Sequence, residues 1–459
     1  MQGEFLVPVH SANEFPEKAR QVLIRNVYLH DDSSVQSSPL YDVICTNGKV
    51  HDVRATSDPT NVENDDTYIR GSIDSEDVEI LDAEGKGILV PALCHAHIHL
   101  DKCFLLGKSD ELVSGDFAEA LKVTAQAKGN FPSALEDLYN RGSRLIVESV
   151  ECGVTAMRAH VEVDETVHMS CLDVGLRLKK DYETICDVQI AVFAQDPLFS
   201  AQNAELGDNL ILLQNAAARD GVHAVGSAPY VEPSVAQAKR NIRFIFDIAC
   251  THGLHADFHL DYTLDRDAEP LIWYVLDELR TRMRTGRWPA GARVCVGHAT
   301  RLTLFSAEEW AALAHAVHPD GEGLPLALVG LPPSDVYMMA RGAQWELARP
   351  RGTLDVVRLA RVHALPVAMA VNNVENAFTP QGVLDPLALC PLGVALFQSG
   401  TRADAARLVV RRSSLICFSR GSLALLDTLN VAGGRDGKCT DRGGHERSPR
   451  AASGARGPS

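Results

Sequence analysis

The chain has 459 residues, 46% of them hydrophobic and 23% charged, and a formal net charge of −16. This is the composition of a globular protein, long enough for one large α/β domain or two ordinary ones. The acidity argues against nucleic acid or an anionic membrane as the main partner, since both select a cationic face.

The opening stretch MQGEFLVPVHSANEFPEKAR has no basic region followed by an apolar one, so no secretory leader is expected. No apolar run approaches the ~20 residues of a membrane-spanning helix. Eleven cysteines are scattered singly with no CxxC pair. That usage fits buried thiols in a reducing compartment, and the cytoplasm is the expected location.

Three N-terminal segments, VLIRNVYLH, YDVICTNGKVHDVRA and DVEILDAEGKGILV, read as short strands joined by turn signals such as Asn47-Gly48. They define a small β-sandwich-like domain over residues 20–87, with SDPTNVENDD as an exposed acidic insertion. From about residue 88 the texture changes. Eight short apolar runs follow: ILVPALCHAHI, VTAMRAHVEV, VQIAVFAQDP, GVHAVGSAPYV, LHADFHLDY, RVCVGHATR, LPLALVGLPPSD and LPVAMAVNNVENAF. Longer amphipathic stretches separate most of them, for example SALEDLYNRGSRLIVESVECG and SVAQAKRNIRFIFDIACTHG. Buried strands alternating with helices imply a parallel sheet, and eight such units close a (β/α)8 TIM-type barrel, here over residues 88–415. A doubly wound open sheet is the competing architecture. The last run is the weakest strand, because periodicity alone does not separate it from a buried helix. Residues 434–459 are rich in Gly, Arg and Ser and are expected to be disordered.

Polar residues gather at the C-terminal ends of these runs: His97 and His99 on the first, His160 on the second, Gln195 on the third, His259 on the fifth, His298 on the sixth, Asp335 on the seventh and Asn372 on the eighth. In barrel enzymes this end carries the active site. Any one of these histidines alone reads as a packed core residue. An HxH pair followed by single histidines at two later strand ends points instead to a metal, because side chains two apart on a strand share a face and imidazole suits zinc and iron. Strict alternation would put His95 on that face too. Cys94, Cys103 and Cys295 read as packing residues, and Lys102 either meets an acidic substrate group or fixes a loop.

The run ILVPALCHAHIHLDK resembles the first-strand signature of the amidohydrolase superfamily, in particular its cytosine-deaminase-like branch. The likeness continues in order through GVTAMRAHVEVD, VQIAVFAQDP, DFHLDY, VGHATRL and VNNVENAFTPQG, over roughly residues 20–415. The resemblance implies one divalent metal ion, zinc or iron, held by His97, His99 and His259. It implies that His298 orients or deprotonates the water held there, and that Gln195 hydrogen-bonds the substrate ring. The reaction implied is hydrolysis of a non-peptide C–N bond in a small heterocycle: a cyclic amide, an amidine or an exocyclic amine. Partners then reduce to a small-molecule substrate, with no nucleic acid and no membrane, and leave room for a homo-oligomer.

Three positions depart from the family pattern. The fifth strand reads HLDY, with Tyr262 where the deaminases carry a proton-shuttling Glu. The eighth reads VNNV, with Asn372 where a metal-touching Asp is usual, and an amide is no base near neutral pH. His95 replaces the acidic residue two places before HxH, and the family register leaves it deeper in the barrel. Tyr262, with an ordinary pKa near ~10, makes a poor shuttle. Asp335 is the best-placed substitute carboxylate and, with Gln195 and His160, the expected substrate contact, whereas Asp261 should face away. General acid–base help is worth ~10²–10⁴-fold in rate. Either another group supplies it, or the substrate needs less, or the barrel binds metal or ligand without turnover. The last is the alternative to an enzyme. The segment LVVRRSSLICFSRGSLALLDTLN does not resemble the strands this family returns to its small domain, which is then expected to lack its C-terminal half.

Overall fold

The computed structural model describes residues 21–29, 39–46, 49–56, 78–199, 206–341 and 350–410. The acidic insertion, the Asn47-Gly48 turn and the C-terminal tail lie outside the described residues.

The N-terminal strands β1 (Gln21–Leu29), β2 (Tyr41–Thr46), β3 (Lys49–Ala55), β4 (Val78–Asp82) and β5 (Ile88–Leu89) form a single sheet among the described residues. Its order is β3-β2-β1-β4, with β5 also paired to β1. The β1–β2–β3 pairs are antiparallel and β1–β4 is parallel.

The eight apolar runs are the strands of one parallel sheet: β6 (Leu93–His99), β7 (Val154–Glu162), β8 (Asp187–Ala194), β9 (Val222–Ser227), β10 (His255–Leu260), β11 (Val294–His298), β12 (Leu326–Gly330) and β13 (Val367–Met369). Their spatial order is their chain order. The sheet closes where Ile98 pairs with Asn372, just past the end of β13. There the His99 N–H donates to the Asn372 carbonyl at 2.9 Å and the Asn372 N–H to that of His97 at 3.2 Å. The sheet is a (β/α)8 barrel, and the open-sheet alternative falls with that closure.

Alternation along the strands sorts the two faces. On β13 and just beyond it, Val367, Met369 and Val371 join the large core shared with the helices, whereas Ala368 and Ala370 pack inside with Ala96, Cys295, Ala327 and Val329. Small residues fill the narrow barrel floor, and the bulkier ones face the helices. The helices carry local signals that start and stop them. Ser234 caps Val235–His252, which ends at Gly253 with φ of 70°, a left-handed value that favours glycine. Ser306 and Glu309 form a capping box at the start of Ala307–Val317. No helix among the described residues is long and apolar enough to cross a membrane.

One irregularity decides which histidines face inward. Between His95 and Ile98, β6 has one residue more than β7, which pairs Met157 with His95 and Ala159 with Ile98. This bulge breaks the alternation. His97 and His99 stay inside, while His95 turns out, its Nε2 lying 3.1 Å from Ser149 Oγ on the helix Leu135–Glu151. The expectation that His95 shares the face of His97 or lies deeper in the barrel is thereby corrected.

Candidate active site

Five inward histidines meet at the C-terminal end of the barrel, and all are buried: His97, His99, His160, His259 and His298. The rings of His97 and His259 are 4.5 Å apart, and those of His99 and His259 are 5.1 Å apart. Gly297 makes room for them, since a Cβ there would stand 3.1 Å from the His97 ring. Three chain turns that end strands have positive φ at non-glycine residues: Asp261 at 51°, His298 at 65° and Asn372 at 70°. Such backbone is uncommon outside glycine and clusters at functional sites. Here it swings side chains at the ends of β10, β11 and β13 relative to the alternation below them.

Burial, then the neighbouring histidines and cations, hold the imidazoles of His97, His99 and His259 well below their ordinary pKa. They are therefore neutral, with lone pairs to offer. Both ring nitrogens of His97 and the Nδ1 atoms of His99 and His259 are buried without a hydrogen-bond partner. The Nε2 atoms of His99 and His259 lie 3.0 Å from each other. Ring nitrogens of His97, His160 and His259 also fall within 4.8 Å of one another. Converging, unpartnered, neutral imidazoles fit a zinc- or iron-type ion.

His298 is held differently. Its Nδ1 lies 2.7 Å from Asp335 Oδ1. The other oxygen of Asp335 accepts from Thr353 Oγ1 at 2.7 Å and from the Leu331 N–H at 3.2 Å. Asp335, expected among the substrate contacts, thus has both oxygens engaged by protein and orients His298 from behind. His160, also expected to meet substrate, does not border the pocket and belongs with His97 and His259. Asp261 faces away as expected. Its carboxylate accepts from the N–H groups of Leu271 and Ile272, at the start of the helix Ile272–Arg284.

Tyr262 stacks on His298, with ring centroids 3.8 Å apart, and its hydroxyl donates to the Ser334 carbonyl at 3.3 Å. Burial raises its phenol well above the ordinary value, so it is a wall of the site and no proton shuttle near neutral pH. Asn372 donates through Nδ2 to Ser334 Oγ at 2.7 Å, leaving a buried Oδ1 without a partner. Gln195 accepts from Lys102 Nζ at 3.3 Å and keeps its Nε2 donor unpartnered. The pocket over the histidines is bordered by these side chains together with Tyr230 and Phe117. It shares Lys102, Gln195 and Phe378 with an adjoining cavity of about 370 Å³.

Sequence reasoning missed a charged network beside the pocket. Lys102 Nζ lies 2.6 Å from Glu162 Oε1, and Lys128, from the helix Phe117–Lys128, reaches Glu162, Asp164 and Asp196 at 3.2, 2.7 and 3.0 Å. Of the two roles open to Lys102, the structure shows the one that fixes protein. Arg158 and Asp257 form a second buried pair at 3.1 Å, below the histidines. The signal was Arg158, His160 and Glu162 at alternate positions of one strand, three polar residues on its inner face. Cys94, Cys103 and Cys295 are buried as packing residues, and burial pushes the Cys103 thiol up to about 12.

No protein-family model matches the chain. It is 25% identical over 337 residues to the pterin deaminase of Rhizobium rhizogenes (strain K84 / ATCC BAA-868), covering 73% of this chain and 71% of that protein. Its fold matches the crystal structure of 5-methylcytosine deaminase from Klebsiella pneumoniae liganded with 5-fluorocytosine, with a TM-score of 0.69 at 20% identity over 88% of this chain and 86% of the other. The crystal structure of N-isopropylammelide isopropylaminohydrolase from Burkholderia multivorans ATCC 17616 matches with a TM-score of 0.61 at 21% identity, over 89% and 87% of the two chains. A closed parallel barrel with a histidine cluster at its C-terminal end has its candidate site where barrel enzymes carry theirs. The chain is thus similar in sequence to a deaminase of this kind and shares the fold of these deaminase and amidohydrolase structures.

Proposed function

We propose that the protein hydrolyses a non-peptide C–N bond in a heterocycle, releasing an amine or ammonia, with a divalent metal held by His97, His99 and His259. The observation that carries this reading is the convergence of neutral, unpartnered imidazoles beside a histidine backed by a buried carboxylate. When bound, such an ion supplies Lewis acidity, polarising the electrophilic carbon and making water a nucleophile near pH ~7.

The chain's own groups account for the rest. With Nδ1 donating to Asp335, His298 presents an Nε2 lone pair to the pocket and takes a proton from the attacking water. One water proton passes through it to the leaving nitrogen and the other ends on the adjacent ring nitrogen, so that a ring N=C–NH2 and water become a ring HN–C=O and ammonia. The Nε2 donor of Gln195 meets an acceptor on the ring, and the Tyr262 face lies against its plane. The adjoining cavity supports substrates that extend beyond a single reacting ring, as in the pterin of the Rhizobium relative. No two of the nine described cysteines are joined in a disulfide, which supports a reducing compartment such as the cytoplasm.

The test is metal analysis of the purified protein paired with an ammonia-release screen over pyrimidines, purines, pterins and triazines. Bound metal with ammonia release is expected. Absence of metal overturns the reading, and bound metal without release from any heterocycle replaces it with a barrel that binds without turnover.

A further inference from the structure

Two of the five clustered histidines have a carboxylate behind them. One is His298 with Asp335. The other is His160, whose Nε2 lies 3.3 Å from Asp257 Oδ1, while the second oxygen of Asp257 accepts from Arg158 at 3.1 Å. A metal-ligating histidine almost always has its far nitrogen engaged by a carboxylate, a carbonyl or water, which fixes the ring. Among the described residues His97, His99 and His259 have no carboxylate within ion-pair reach, whereas His160 has Asp257. Both ring nitrogens of His160 are buried without a hydrogen bond, and Nδ1 has no ion-pair contact either. The ring lies 4.0 Å from that of His97 and 5.1 Å from that of His259, and its backbone pairs with His99 on the neighbouring strand.

Charge points the same way. The groups bordering the pocket around the histidines include Gln195, Tyr262, Ser334 and Asn372 but no carboxylate. A buried dication among neutral imidazoles, with Lys102 and Arg158 nearby, needs negative charge close at hand. Among the described residues, Asp257 and Asp335 are the carboxylates that reach a histidine of the cluster.

We propose that His160 is a fourth protein ligand of the metal through Nδ1, with Asp257 supplying through it the negative charge that no directly bound carboxylate provides. This rests on the metal reading above.

The test uses zinc on the full chain. Zinc affinity is measured by competition with a chromogenic chelator, and X-ray absorption of the zinc-loaded protein counts coordinated imidazoles. H160Q is expected to lose one imidazole and to bind zinc more than ~100-fold more weakly, beyond the ~10–100-fold expected of D257N as the partner behind a ligand. An H160Q protein with wild-type affinity and an unchanged count overturns the proposal while leaving the metal reading intact. A wild-type protein that binds no zinc sinks the metal reading itself. Should H160Q not fold, H298Q decides. Four imidazoles retained there support the proposal, and three overturn it.

Discussion

Nδ1 of His298 lies 2.7 Å from Oδ1 of Asp335, and no other contact among the described residues couples a histidine of the site to a carboxylate so closely. Asp335 is fully buried, and burial pushes its carboxyl up, against the opposing pull of His298, Thr353 and the Leu331 N–H. The pairing assigns the proton to Nδ1 and leaves Nε2 as the acceptor. A side chain that sequence alone offers as a substitute base becomes the group that gives the histidine its tautomer.

Replacing Asp335 with Asn removes that assignment, because an amide can donate to Nδ1 and drive the proton to Nε2. D335N is expected to lower kcat by ~10²–10⁴-fold, the worth of general acid–base help, with KM and bound zinc retained. Steady-state kinetics with metal analysis of the same preparation check this. A kcat close to wild type would show that His298 moves no proton.

Asn372 stands at the barrel seam with an unpartnered, buried Oδ1 and no capacity to act as a base. N372D places a carboxylate at the same position. If strand β13 faces the metal, zinc affinity or kcat should rise, by up to the ~10²-fold that one well-placed acid–base group contributes. Chelator competition and ammonia release measure the two. Wild-type values for both would mean that the end of β13 contributes nothing to the chemistry.

Tyr262 is expected to act through its ring. Its hydroxyl is spent on the Ser334 carbonyl, and its face covers His298. Y262F forfeits one hydrogen bond, worth about 1 kcal/mol, and should keep most of its kcat. Y262A removes the wall and should lose far more, chiefly in kcat/KM. Equal losses in the two variants would return the hydroxyl to the mechanism.

The barrel was legible because eight short apolar runs alternate with amphipathic stretches and seven of them close on a polar residue, the pattern of a parallel sheet covered on both faces. HxH was legible for the same reason. What alternation could not reveal was the extra residue that turns His95 outward, since every residue of β6 is buried and hydropathy does not change at the bulge. Nor could local sequence join Lys102 to Glu162 or His298 to Asp335. These pairs form only when strands and loops far apart in the chain meet at one end of the barrel. The roles of Tyr262 and Asn372 turn on Ser334, which binds both and has no signature of its own.

The Glu162 network predicts an acid limit to stability. Burial alone would raise the Glu162 carboxyl, but Lys102 and Lys128 outweigh it and hold the group down at about 2, against an ordinary 4.5. A pKa lowered on folding stabilises above the unfolded value. That contribution, about 3 kcal/mol as an order of magnitude, is therefore complete above pH ~4.5 and drains away as pH falls towards ~2. Urea unfolding of wild type and E162Q at pH 7, 5 and 3 isolates it. E162Q should be less stable at pH 7 by roughly 3–5 kcal/mol, because two buried lysines lose a partner. It should also lose less of its remaining stability between pH 5 and 3 than wild type does. Parallel losses in both proteins over that interval would mean that Glu162 is not held ionised by the lysines, and that Lys102 is free to meet substrate instead.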